Sequence, residues 1–237
     1  MDEFEEDSQS ELDSSIELDV SSLRALRKMP IDVFNGVYLG ETKREALILC
    51  IDIRNFSVFL RENDEDAVFD LIKNFTSNFL SCVNQFGFNC SYYKLVGDGA
   101  IVIWDEATES HLVEAMTVFN EYREFLNEDL FVNTPILGLA GAMVLERVFK
   151  YEISAEASGL KYRDYVGYGI NLACRLQTLA DKNELIINKK LVVEKRVPVV
   201  EKDKSTLSHN IAFLKGLKDE DRERVYKYKY DSHCVKK

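Results

Sequence analysis

Apolar positions along the chain fall into runs and into periodic sets, and the two predict different elements. ALILCID at 46–52 is a short, nearly unbroken apolar run ending in an acid, which predicts a buried strand. Val68, Leu71, Phe75, Phe79, Cys82 and Phe86 then recur at intervals of three and four, one face of an amphipathic helix that Gly87 stops. SYYKLV and AIVIW flank Gly97-Asp98-Gly99 and predict a hairpin. A second amphipathic helix fits about 109–128, with Leu112, Ala115, Met116, Phe119, Tyr122 and Phe125 on one side. ILGLAGAMVL (136–145) reads as another buried strand, followed by a polar stretch, a helix from about Gly169 to Ala180 and a strand at ELIIN. VVEKRVPVV, NIAFL and RVYKYKY make the last third β-rich, and Pro30 interrupts any long helix in the mixed residues 21–45. The order of elements predicts a single α+β domain of ferredoxin-like type, with helices packed on a mostly antiparallel sheet.

Composition bounds this picture. With 46% hydrophobic and 11% aromatic residues in 237, the chain can bury a sizeable core. No apolar run approaches the roughly 18–20 residues that span a bilayer. Nine of the 41 acids lie in residues 1–20, which hold no Lys or Arg, so the rest carries 32 acids against 30 bases. The net charge of −11 is therefore mostly a property of a tail, expected to be a solvated, disordered leader. A near-neutral body offers no electrostatic footprint for nucleic acid. The expected division is an acidic tail at 1–20, an extension at 21–45, a folded body at 46–230 and a short tail at 231–237.

The five cysteines (Cys50, Cys82, Cys90, Cys174, Cys234) show no C-x-x-C spacing, and MDEFEEDSQSELD lacks the features of a secretory signal. Together these predict a reduced, cytoplasmic protein. His111, His209 and His233 are too scattered for a zinc pattern.

Three places could carry chemistry. Asp52 ends a strand and Asp98 sits at a hairpin tip; singly, each is ordinary cap or turn chemistry. If their strands are neighbours, however, the two carboxylates converge at one sheet edge, where hard cations are held beside phosphates. Ile53-Arg54-Asn55-Phe56-Ser57 leads from strand to helix, as a plain connecting loop or as a cradle of amides for a polyphosphate. In Gly167-Tyr168-Gly169-Ile170-Asn171-Leu172-Ala173-Cys174-Arg175, Asn171 and Arg175 stand four apart and share one side of a helix otherwise rich in apolar residues.

LILCIDIRNFS (47–57), YKLVGDGAIVIW (93–104) and DYVGYGINLACRL (164–176), in that order, resemble the class III nucleotidyl cyclases, the adenylate and guanylate cyclase catalytic domain. The resemblance covers roughly residues 45–230. It implies that Asp52 and Asp98, with the Ile53 carbonyl, hold two divalent cations, Mg²⁺ or Mn²⁺. Asn171 would orient the ribose, and Arg175 would stabilise the transition state at the α-phosphate. Lys94 and Asp164 match the base-reading pair, Asn55, Phe56 and Ser57 the phosphate loop, and Lys215 or Lys218 a lysine on the terminal phosphates. Asn55 departs from the usual glycine, Ser57 from a common threonine, and AMVLERVFKY lacks a second glycine that many relatives carry.

The family's reaction makes a 3′,5′-cyclic nucleotide and pyrophosphate, in a head-to-tail homodimer whose sites are shared between subunits. Lys94 can only donate and ionised Asp164 can only accept, which suits the pairing edge of adenine and equally that of cytosine. ATP ranks first by this match. A cyclase domain without an appended sensor is also similar to the free-standing pyrimidine cyclases of bacterial antiphage systems, which signal to a separate effector and make cCMP or cUMP. The rival class is an inert, dimerising nucleotide-binding module. The GGDEF sequence of diguanylate cyclases is absent.

Overall fold

The structure, a computed structural model, describes residues 37–155, 160–201, 216–219, 221 and 224–229. The expected acidic tail, most of the extension, NIAFL and the C-terminal tail lie outside the described residues. Strand β1 (Val37–Arg54) contains the 46–52 run and begins well before it. Both of its faces are covered there: Leu47, Leu49, Ile51 and Ile53 enter one core and Ala46, Ile48 and Cys50 another. A strand buried on both sides has no polar face to show, which is why the run does not alternate.

Helix α1 (Phe56–Glu62) follows directly, and α2 (Glu65–Phe86) is capped by the Asp64 carboxylate on the Ala67 amide. It ends before Gly87, as the periodicity predicts. Strands β2 (Tyr92–Val96) and β3 (Gly99–Trp104) form the expected antiparallel hairpin. Helix α3 (Glu109–Phe125) has Thr108 as its cap and widens into a π-helical turn over Leu126–Leu130. Then come β4 (Gly138–Ala155), β5 (Leu160–Val166), α4 (Tyr168–Gln177), β6 (Leu185–Ile187), α5 (Lys189–Lys195), β7 (Val199–Glu201) and β8 (Tyr226–Tyr228).

The sheet order is β2-β3-β1-β4-β6-β8-β7, with β5 on β4. Its first four members, read from the other side as 4-1-3-2, give the βαββαβ arrangement expected of a ferredoxin-like sheet. Phe75 and Phe79 of α2 and Phe119 and Tyr122 of α3 fill one core. Leu172, Ala173 and Leu176 of α4 fill the other, on the opposite face of β1.

Two expectations need correcting. Val192–Lys195, read as β, belongs to α5: Asn188 caps that helix by accepting from the Leu191 amide, and Leu191 is fully buried. A cap and one buried anchor outweigh the β preference of adjacent valines. The polar stretch after Leu145 continues as β4 and β5. There, FKYEIS (149–154) alternates apolar and polar residues and forms no unbroken apolar run.

Contacts divide the chain into two compact units, residues 41–151 with 164–237, and residues 1–40 with 152–163. In the smaller unit the described residues are ends of β1, β4 and β5, with Arg163 ion-paired to Glu152. Every candidate site residue falls in the larger unit. No described helix is long and apolar enough to cross a membrane.

Candidate active site

The ladder between β1 and β3 places Asp52 opposite Gly99, and the Ile53 amide donates to the Asp98 carbonyl at 3.1 Å. The β2–β3 turn is held to two residues by Gly97, whose φ of 61° is the left-handed conformation a tight hairpin needs at its first central position. Gly99 permits the close approach. A Cβ there would lie 2.5 Å from the Ile51 carbonyl oxygen and 3.3 Å from Asp52 Oδ1. The two aspartates thus stand side by side at one end of the sheet. Burial, and then the neighbouring Asp98 charge, raise the Asp52 carboxyl from 3.8 to about 6. Arg54 and a hydrogen bond from Gln177 Nε2 to Asp52 Oδ2 (3.2 Å) act against that rise.

No group of three or more His, Cys, Asp or Glu gathers among the described residues. Two carboxylates beside a backbone carbonyl are nonetheless a fitting donor set for a hard cation that keeps its waters and takes phosphate oxygens. The repulsion between the two acids is the kind of charge that such a cation relieves. Asn55 follows β1 with φ 64°, a left-handed conformation that glycine adopts freely and asparagine tolerates. Its side chain donates to the Ile136 carbonyl at 2.8 Å, and the Val58 and Phe59 amides bond back to its own carbonyl. The substitution of the usual glycine is therefore compatible with the turn at Asn55, after which Phe56 and Ser57 already belong to the first turn of α1.

Lys94 and Asp164 also come together. Lys94 Nζ donates to Asp164 Oδ2 at 2.7 Å, while Tyr92 Oη and the Tyr165 amide both donate to Oδ1 at 2.8 Å. Tyr92 and Tyr165 rings pack with centroids 5.0 Å apart. These groups line a cleft of about 160 Å³ with Ile101 and Ile170. Tyr92 went unread in the sequence; its signal was its place two residues before Lys94, on the same face of a strand.

Asn171 is exposed and Arg175 half-buried, both on the same side of α4. The charges acting on Asp52 are those of Asp98 and Arg54, and Arg175 is not among them. Arg175 precedes Gln177 by two positions, which on a helix turns it to the far side. Lys218 is held at the start of α4: its amide donates to Tyr168 Oη at 2.7 Å, and its Nζ reaches Glu146 Oε2 at 3.4 Å and lies 4.6 Å from the Tyr168 ring centroid. Lys215 lies outside the described residues. Arg54 was likewise missed as a site residue. Its guanidinium donates to the Ala180 carbonyl at 2.6 Å and the Gln177 carbonyl at 2.8 Å, tying β1 to the end of α4.

No family model and no curated protein matches the chain. Solved structures do. The adenylyl cyclase CyaB from P. aeruginosa aligns over 82% of this chain and 98% of its own, at 18% identity and a TM-score of 0.65. The catalytic core of a rhodopsin-guanylyl cyclase with converted specificity, in complex with ATPalphaS, aligns over 80% and 98% at 14% identity and a TM-score of 0.60. The guanylyl cyclase Cya2 aligns over 80% and 92% at 17% identity and a TM-score of 0.56. The chain has the fold of the class III nucleotidyl cyclase catalytic domain.

Proposed function

We propose, on the premise of that fold, that the chain is a nucleotidyl cyclase converting a nucleoside triphosphate, ATP foremost, into a 3′,5′-cyclic nucleotide and pyrophosphate. The observation that carries this reading is the convergence of Asp52 and Asp98 across the β1–β3 ladder. Asp52, Asp98 and the Ile53 carbonyl would hold two divalent cations, Mg²⁺ or Mn²⁺. Bound there, these lower the pKa of the ribose 3′-hydroxyl and neutralise the leaving pyrophosphate.

Side chains supply the positioning. Asn171 orients the ribose so that its 3′-oxygen stands in line with the α-phosphorus. Arg175 donates to the oxygens around that phosphorus as charge accumulates on them. Asn55, Phe56 and Ser57, with Lys218 or Lys215, hold the terminal phosphates. Lys94 donates to a ring nitrogen of the base and Asp164 accepts from its exocyclic amine, a polarity that guanine and uracil reverse.

Cytosine offers the same edge and is smaller. CTP is therefore the second reading, favoured by the tightness of the cleft beside Tyr92 and Tyr165; UTP follows it, with the pair's polarity against it. A head-to-tail homodimer with shared sites is supported by the two sides of α4, since Arg175 turns away from the Asp52 of its own chain.

The test incubates purified protein with Mn²⁺ and each of the four nucleoside triphosphates separately and identifies products by mass spectrometry. A cyclic nucleotide from ATP is expected. No product from any of the four, with dimerisation intact, would turn the reading to a nucleotide-binding module. For the shared site, Asp52→Ala and Asn171→Ala chains, each inactive, should recover activity when mixed.

A further inference from the structure

Helix α4 and strand β1 meet along matched spacings. Asp52 and Arg54 are two apart on β1 and share a face with Ile48 and Cys50. Cys174 and Gln177 are three apart on α4 and share a side. Cys50 Sγ lies 3.8 Å from Cys174 Sγ, and Gln177 Nε2 lies 3.2 Å from Asp52 Oδ2. Gln177 is only 4% exposed and is gripped twice, its side chain donating to Asp52 and its carbonyl accepting from Arg54 at 2.8 Å. At about 100° per residue, Gln177 points roughly 160° away from Arg175.

We propose that Gln177 is the positioning residue of the Asp52 carboxylate, and that α4 thereby serves two reaction centres: its outer side presents Asn171 and Arg175 to the partner's site, while its inner side fixes the metal-binding acid of its own. This deepens the cyclase reading and rests on it for the word reaction.

The chemistry suits the task. A carboxylate that ligates a cation needs one oxygen oriented and the other left open. Gln177 takes Oδ2, and Oδ1 faces the β2–β3 turn that carries Asp98. A neutral amide orients without competing for the site, as a lysine or arginine at this position would by neutralising Asp52. Arg54 acts at one remove, anchoring the helix end through two carbonyls instead of touching the acid. Partners of this kind typically govern metal affinity by about 10–100-fold.

The experiment has two arms. In the first, Mn²⁺ alone is titrated into the full chain and binding is read by the loss of the free-ion electron paramagnetic resonance signal. Gln177→Met and Gln177→Leu keep volume and remove the donor; each should weaken Mn²⁺ binding by about 10–100-fold. Undiminished binding in a folded variant, or no binding by the wild-type chain, overturns the proposal whether or not any nucleotide is turned over. Weakened binding in a protein that makes no cyclic nucleotide overturns the cyclase reading and leaves the positioning role standing.

The second arm uses the mixed dimer of Asp52→Ala and Asn171→Ala chains, which has one competent site. Gln177→Met on the chain that supplies Asp52 should raise the half-saturating Mn²⁺ concentration by about 10–100-fold, with turnover recovered at saturation. On the chain that supplies Asn171 it should change that concentration by less than about two-fold. Equal effects in the two arrangements, or a loss that follows the Asn171 chain and persists at saturating Mn²⁺, overturn it.

Discussion

The two halves of the proposed site are built on opposite electrostatic plans. At the end of β1, two carboxylates are pressed together, one of them raised to about 6 by burial and by its neighbour. On β5, Asp164 is buried too, yet Lys94, Tyr92 and a backbone amide already satisfy both of its oxygens. The first half is electrostatically unbalanced on its own, which a bound cation would relieve; the second is balanced in itself and, on the proposed reading, would exchange its bonds for those of a base. Losses in the first half should therefore act on every substrate alike, and losses in the second should act on the choice among substrates.

The sharpest way to break that contrast is to remove one member of each half. Asp98→Ala should cut turnover of every nucleoside triphosphate by about 10²–10³-fold, measured as cyclic product per enzyme at saturating substrate. Lys94→Met should instead lower kcat/KM for the preferred nucleotide and narrow its margin over the others by about 10–100-fold, because a mismatched edge no longer leaves the Lys94 ammonium without an acceptor. If Lys94→Met lowered all four equally, the balanced half would not be reading the base. Gly99→Ala sits between the two classes. Its Cβ would meet the Ile51 carbonyl oxygen at 2.5 Å, so the ladder must open, at a cost of about 1–3 kcal/mol in denaturant unfolding, and the aspartates separate with it.

The same contrast explains what could be read before any coordinates. Asp52 and Asp98 were legible because each ends or tips an element that announces itself: an unbroken apolar run and a glycine-bounded turn. The helix bearing Asn171 and Arg175 was legible from its spacing. Gln177 and Arg54 were not, because a buried amide and an arginine on carbonyls have no local pattern and acquire meaning only once α4 lies on β1. Tyr92 stayed hidden for a milder reason: an aromatic on a strand is ordinary until its hydroxyl is seen on Asp164. Among the elements, the long apolar faces of α2 and α3 were plain, whereas α5 was concealed by valines whose β preference yields to the Asn188 cap.

The smallest effect tests the imbalance itself, without catalysis. A carboxyl raised from 3.8 to about 6 binds its proton more tightly folded than unfolded, so it favours folding fully below about 4, and that advantage is lost as pH rises through 6. In the metal-free protein, then, the charged Asp52 is a liability at pH 7.5 and nearly neutral in effect at pH 4.5. Asp52→Asn keeps the shape and removes the charge. In the presence of a chelator it should raise Tm at pH 7.5 by about 2–4 °C, and the gain should shrink toward zero at pH 4.5. Adding Mn²⁺ at pH 7.5 should close the gap from the other side by stabilising only the wild-type chain, since a ligand that binds the folded state shifts its unfolding by mass action. A gain that persisted unchanged at pH 4.5 would mean that packing of the amide, and not relief of the buried charge, sets the difference, and the unbalanced half of the comparison would lose its physical basis.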